Sequence, residues 1–178
     1  MPPRKTSEAI ARPAAKNAGK RPAAAAPATG GRPDSAAKTV RQPEKFDELV
    51  HGKPLMGTAA IEAIRRGYPA AIMKSASAFL GVSEARIQRV MHVSPSTASR
   101  LIKQKEAVDA AATERVLRIS DVTRFAIEVF EDESAAKDWL RMPNESLGQN
   151  APLDLLDTEP GAVTVRQVLN AIATGAPL

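Results

Sequence analysis

From Thr58 to Gly175 the apolar residues recur every three or four positions, and nowhere do four or more residues alternate cleanly between apolar and polar. A half-buried strand needs that two-residue alternation, whereas a helix needs the longer interval. The pattern restricts this chain to an all-α fold. Its punctuation agrees. Thr58 reads as the N-cap of a helix carrying Ile61 and Ile64, stopped at Gly67-Tyr68-Pro69. A second helix runs through Ile72, Ala76, Phe79 and Leu80 to Gly81. Ser83 starts a third, with Ile87, Val90 and Met91, and His92-Val93 makes a short turn. Ser94 caps a fourth, Pro95 to Lys103, whose first position is a proline where the missing N–H costs least. A longer helix follows from about Asp109 to Phe130, with Val116, Thr123, Ile127 and Phe130 along one side. Ser134 caps another around Trp139 and Leu140, ending at Pro143. Residues 144–157 read as loop or short helical turns. Thr158 then caps a last helix whose Val165, Val168, Leu169 and Ile172 point inward, closed by Gly175. Between Phe46 and Gly57 the breakers Gly52, Pro54 and Gly57 leave only an approach segment.

Composition narrows the function. Six aromatic residues leave a core of Leu, Ile, Val, Met and Ala, and the absence of cysteine removes disulfides, thiolate metal sites and a Cys nucleophile together. His51 and His92 stand far apart with no flanking nucleophile motif. No Gly-rich phosphate loop follows a strand, and no carboxylate pair stands out from the charge on helix surfaces. These observations point to a binding protein that is not an enzyme and that uses no cofactor or metal. No apolar run approaches the roughly 18 residues of a membrane span, so no membrane partner and a cytoplasmic location are expected.

The net charge of +5 hides an asymmetry. Residues 1–45 carry ten Lys and Arg against three Asp and Glu, residues 46–107 nine against five, and residues 108–178 six against twelve. A basic front and an acidic back imply two partners of different character. The first 45 residues are rich in Ala, Pro, Lys and Arg with almost no large apolar side chain. They read as a disordered basic arm, either following a phosphate backbone or merely solubilising the chain.

A helix-turn-helix requires apolar residues at fixed spacing on two short helices. Ile87, Met91, Val93, Ala98 and Leu101 fit it. The reading helix would then offer Ser94, Ser96, Thr97, Ser99, Arg100, Lys103 and Gln104 to DNA, since short hydroxyl residues permit close approach while Arg and Gln read base edges. Arg86, Arg89 and Lys105 would hold phosphates. His92 occupies the turn position where Gly is usual. A second frame, Ala76, Leu80, Val82, Ile87 and Val90 with Gly81 at the turn, also fits, and so does an ordinary packed core.

The stretch Ala136 to Gly148, with Trp139-Leu140, Pro143-Asn144 and Leu147-Gly148, continues into Pro152-Leu-Asp-Leu-Leu-Asp-Thr-Glu-Pro-Gly161 and Val165 to Gly175. It resembles the toxin-binding domain of Xre-type antitoxins, the ParS and Mbc proteins among them, which partner RES-domain toxins. Arg66-Gly67, Leu80 to Ser83, Val93 to Thr97 and Glu114-Arg115 resemble that family's helix-turn-helix domain. The resemblance covers roughly residues 58–178, not the basic arm, and favours the first frame; with the arm (1–45) read from composition, the chain divides further into an N-terminal helix-turn-helix domain (46–131) and a small helical toxin-binding domain (132–178). The resemblance further implies neutralisation of a NAD-consuming RES toxin, repression of the operon through operator DNA, and a homodimer within a higher toxin–antitoxin assembly. The alternative is a stand-alone DNA-binding regulator whose C-terminal domain only dimerises. Candidate toxin-binding residues are Asn144, Leu147, Gly148, Arg166, Gln167, Asn170, Thr174 and Gly175. Two departures stand out: Gln149 where the family often has a second Gly, and Ser99-Arg100 where it often pairs arginines.

Overall fold

The computed structural model describes residues 45–176; the basic arm expected over 1–45 lies outside them except for Lys45. The described chain is helical: α1 (Phe46–His51), α2 (Gly57–Arg66), α3 (Ile72–Leu80), α4 (Glu84–Val90), α5 (Pro95–Gln104), α6 (Ala110–Phe130), α7 (Glu133–Arg141), two 3₁₀ helices, η1 (Glu145–Leu147) and η2 (Pro152–Asp157), and α8 (Glu159–Thr174). Among the described residues there is no strand, only the isolated bridges Pro69/Ala107 and Asn144/Asn150.

The caps explain most boundaries. Ser83, Ser94 and Thr158 each accept a backbone N–H with the side-chain oxygen, as their positions predict. Two other expectations fail. The cap before α7 is Asp132, not Ser134. Ahead of α2 stands Met56 without a side-chain cap, not Thr58. The approach segment also contains a helix. Phe46, Leu49 and Val50 bury one face of α1 against α3 and α6. Arg124 of α6 closes its C-terminal end by donating to the carbonyls of Leu49 and Val50. An element under two turns long gives too few periodic positions to be read from sequence, and here tertiary contacts hold it.

Helix α6 is the spine, packed against α1, α2, α7, η2 and α8. Its buried Val116, Ile119, Val122 and Ala126 each replace water with packed apolar atoms, roughly 1.5–3 kcal/mol for each larger side chain. The return from α2 toward α6 depends on Gly67. Its φ is +80°, and an added Cβ would lie 2.5 Å from the Val108 carbonyl oxygen. That close approach lets the Tyr68 carbonyl accept from the Val108 N–H at 2.8 Å. On α8, Val165, Val168 and Leu169 are buried. Ile172 is 38% exposed rather than inward, because the last turn runs past the core.

Candidate functional site

The two halves meet along a polar seam. Arg86 on α4 donates from Nε and Nη2 to both oxygens of Asp154 on η2, at 2.8 and 2.9 Å, and from Nη1 to the Arg141 carbonyl at 3.2 Å. These partners hold the guanidinium expected as a phosphate contact against the toxin-binding half, so that a phosphate would have to compete with Asp154 for it. The seam also disfavours the second helix-turn-helix frame. That frame makes α4 the reading helix, yet α4 packs on both α3 and η2 and leaves only Glu84, Ala85 and Arg89 exposed, far fewer donors than α5 offers.

Helix α5 is differently placed. Ala98 and Leu101 anchor it, while Ser94, Ser96, Ser99, Arg100, Lys103 and Gln104 are exposed and Thr97 is half-buried. The Thr97 N–H donates to Ser94 Oγ at 3.2 Å, and the Ser94 hydroxyl donates to Thr97 Oγ1 at 2.8 Å. Arg100 donates from Nη1 to Gln104 and to Glu106, both at 2.8 Å. Exposed pairs of this kind contribute little stability and release easily, so the guanidinium can exchange carboxylate for a base edge. Arg89, His92 and Ser94 border a hollow of about 400 Å³ beside the start of α5. His92 itself has φ +56°, the conformation that makes Gly usual at this turn.

Toward the C-terminus the expected residues divide. Leu147 is buried at 6% exposure, and η1 packs on α8, so its side chain serves the core before any contact with a toxin. Asn144 accepts the Ser146 N–H at 2.9 Å and pairs through its backbone with Asn150. Gly148 at φ +63° turns the chain. Gln149, at φ +64°, adopts a backbone that suits the glycine more usual there. On α8, Gln167, Asn170 and Thr174 are exposed, Arg166 pairs with Glu159 at 3.2 Å, and Gly175 closes the helix at φ +65°. Helical spacing adds Val163, 44% exposed, to the stripe of Gln167, Asn170 and Thr174. Sequence reading missed Val163 because a lone valine after a capping turn reads as core. Exposed Met142 was missed too, at 59%.

Two family models match, the antitoxin Xre-like helix-turn-helix domain over residues 59–120 and the antitoxin Xre/MbcA/ParS C-terminal toxin-binding domain over residues 125–175. The chain belongs to the Xre-type antitoxin family. An "Antitoxin Xre" of Yersinia enterocolitica is 25% identical over 120 residues, covering 67% of this chain and 81% of the relative. Another, of Photorhabdus laumondii, is 26% identical over 113 residues, covering 63% and 76%. A "Prs ADP-ribosylating antitoxin" of a Sphingobium species is 28% identical over 126 residues, covering 65% and 79%. The antitoxin thus joins a helix-turn-helix domain to a toxin-binding domain, and the two matched regions meet inside α6. No helix among the described residues is long and apolar enough to cross a membrane.

Proposed function

We propose that this antitoxin neutralises a RES-domain, NAD-consuming toxin by covering it with the toxin-binding domain, and that it represses its own operon through α5, acting in the cytoplasm as a homodimer and as a binding protein rather than an enzyme. The observation that carries the reading is the pair of polar helical faces not covered by the core: α5, with Ser96, Ser99, Arg100, Lys103 and Gln104, and α8, with Gln167, Asn170 and Thr174. The first has the donors that base edges and phosphates accept. The second stands on the acidic half, where a polyanion is repelled and a protein is not. Asn144 and Gly148, at the ends of an η1 that packs on α8, together with Arg166 and Gly175 complete the proposed toxin surface; Arg89, beside Ser94 and Pro95, completes the DNA surface. The Sphingobium relative has ADP-ribosylation in its name, a chemistry whose donor is NAD, and this supports a toxin of that class.

Co-expression tests the reading. The RES-domain protein encoded beside this gene should arrest growth alone and be rescued by the antitoxin, and a reporter on the shared promoter should be repressed. Repression without rescue would leave a stand-alone regulator whose C-terminal domain only dimerises.

A further inference from the structure

The motif Pro152 to Gly161 is divided between core and surface. Pro152, Leu153 and Leu156 are buried, and two carboxylates of the motif, Asp154 and Asp157, reach Arg86 and His92 of the helix-turn-helix region. One residue touches the DNA-reading turn itself. Asp157 Oδ2 lies 3.3 Å from His92 Nε2, and the Asp157 carbonyl accepts from Arg115 Nε at 3.2 Å. The same Arg115 reaches the Met91 carbonyl from Nη1 at 3.5 Å. Met91 and His92 are the residues at which the chain leaves α4 and turns into α5, and His92 holds the left-handed conformation that sets the angle between the helices. A cleft of about 320 Å³ opens here, bordered by His92, Glu114, Arg115, Asp157 and Glu159. Polar contacts rather than close apolar packing therefore join the turn to the end of η2.

We propose that Asp157, though it lies in the toxin-binding domain, is a positioning residue for operator recognition: it holds the Met91-His92 turn so that α5 enters the groove at the productive angle. The inference rests on the reading that α5 meets operator DNA. Simple electrostatics predicts the opposite effect, because a carboxylate beside the DNA-reading turn repels phosphates. Removing it without a positioning role would strengthen binding to every DNA.

The test uses the full chain, the promoter fragment upstream of its gene, and a scrambled duplex of equal length. Asp157→Ala should bind the promoter about five- to tenfold more weakly, while binding the scrambled duplex as well as or better than the native chain, because sequence reading depends on helix placement and non-specific attraction does not. His92→Asn, which tolerates the left-handed turn, should reproduce the loss, and the double variant should lose no more than the larger single loss, as expected of two residues acting through one contact. Promoter affinity equal to or above native in Asp157→Ala would overturn the proposal. So would a parallel loss on both duplexes, which marks simple destabilisation. If the native chain fails to prefer the promoter at all, the repressor reading itself falls.

Discussion

Arg118, on the spine helix α6, donates from Nε to the Glu159 carboxylate in the first turn of α8 at 2.8 Å. Its side chain is only 8% exposed, and its other nitrogens reach Glu114 at 2.8 Å and the Leu156 carbonyl at 3.3 Å. A guanidinium so placed is fully partnered, which is the condition for tolerating a charge out of water. Partial burial raises the Glu159 carboxyl pKa, but hydrogen bonds and charge from Arg118 and Arg166 outweigh it and hold the group below its ordinary 4.5. A pKa depressed in the folded state stabilises the protein above the unfolded value, and that contribution disappears as pH falls through the folded value. Glu159→Gln should therefore lower Tm at neutral pH, with the gap to native closing as pH drops below about 4.5. A gap that stays constant down to acid pH would contradict the pairing.

Leu147 separates a structural residue from a contact residue. Leu147→Ala removes buried methyl groups at 6% exposure and should cost about 2–4 kcal/mol, measured by denaturant unfolding. Toxin affinity, corrected for folded fraction, should be unchanged. Loss of affinity in fully folded protein would return Leu147 to the toxin face.

Gln149 sits at φ +64°, a conformation that costs a residue with a Cβ roughly 1–2 kcal/mol. Gln149→Gly should raise stability by about 1 kcal/mol, less the entropy glycine adds to the unfolded chain, and appear as a higher Tm. A lower Tm would show that the Gln149 side chain makes a compensating contact.

Tyr68 is the only tyrosine in the chain and is fully buried, its hydroxyl without a hydrogen-bond partner among the described residues. Burial, with a smaller contribution from the Asp121 charge, pushes its pKa up to about 12. Phenolate absorbance in the folded protein should stay low through pH 10 and rise only near 12, whereas a midpoint near 10 would place the ring in water.

The helices were legible because their caps and periods are local: Ser94-Pro95 and Thr158 mark the starts of α5 and α8 within a few residues. What sequence could not show is distance across the fold. Arg86 reads as one more basic residue near a DNA-binding helix, and nothing local reveals that Asp154, 68 positions later, neutralises it. Leu147 lies in a recognisable motif, but a motif does not say which of its residues face the core. Phe46 to His51 escaped because α1 is fixed by Arg124 and the Phe46 N–H bond to Ser75 Oγ, 2.8 Å long, both remote in sequence. The seam carries the same lesson. Charge halves the chain into a basic front and an acidic back, while Arg86 reaches Asp154 and the Arg141 carbonyl across that divide and Arg115 reaches back to the Met91 carbonyl.

Operator and toxin are proposed to meet different faces, α5 and α8. The most direct measurement is a crossed pair of affinities, each ligand alone, for Arg100→Ala and Asn170→Arg. Arg100→Ala should weaken promoter binding by about 1–3 kcal/mol and leave affinity for the neighbouring RES-domain protein unchanged. Asn170→Arg should weaken the toxin complex by at least about tenfold, on the order of 1.4 kcal/mol, and spare the promoter. Either variant losing both ligands while still folded, or the effects appearing on the opposite ligands, would contradict the account.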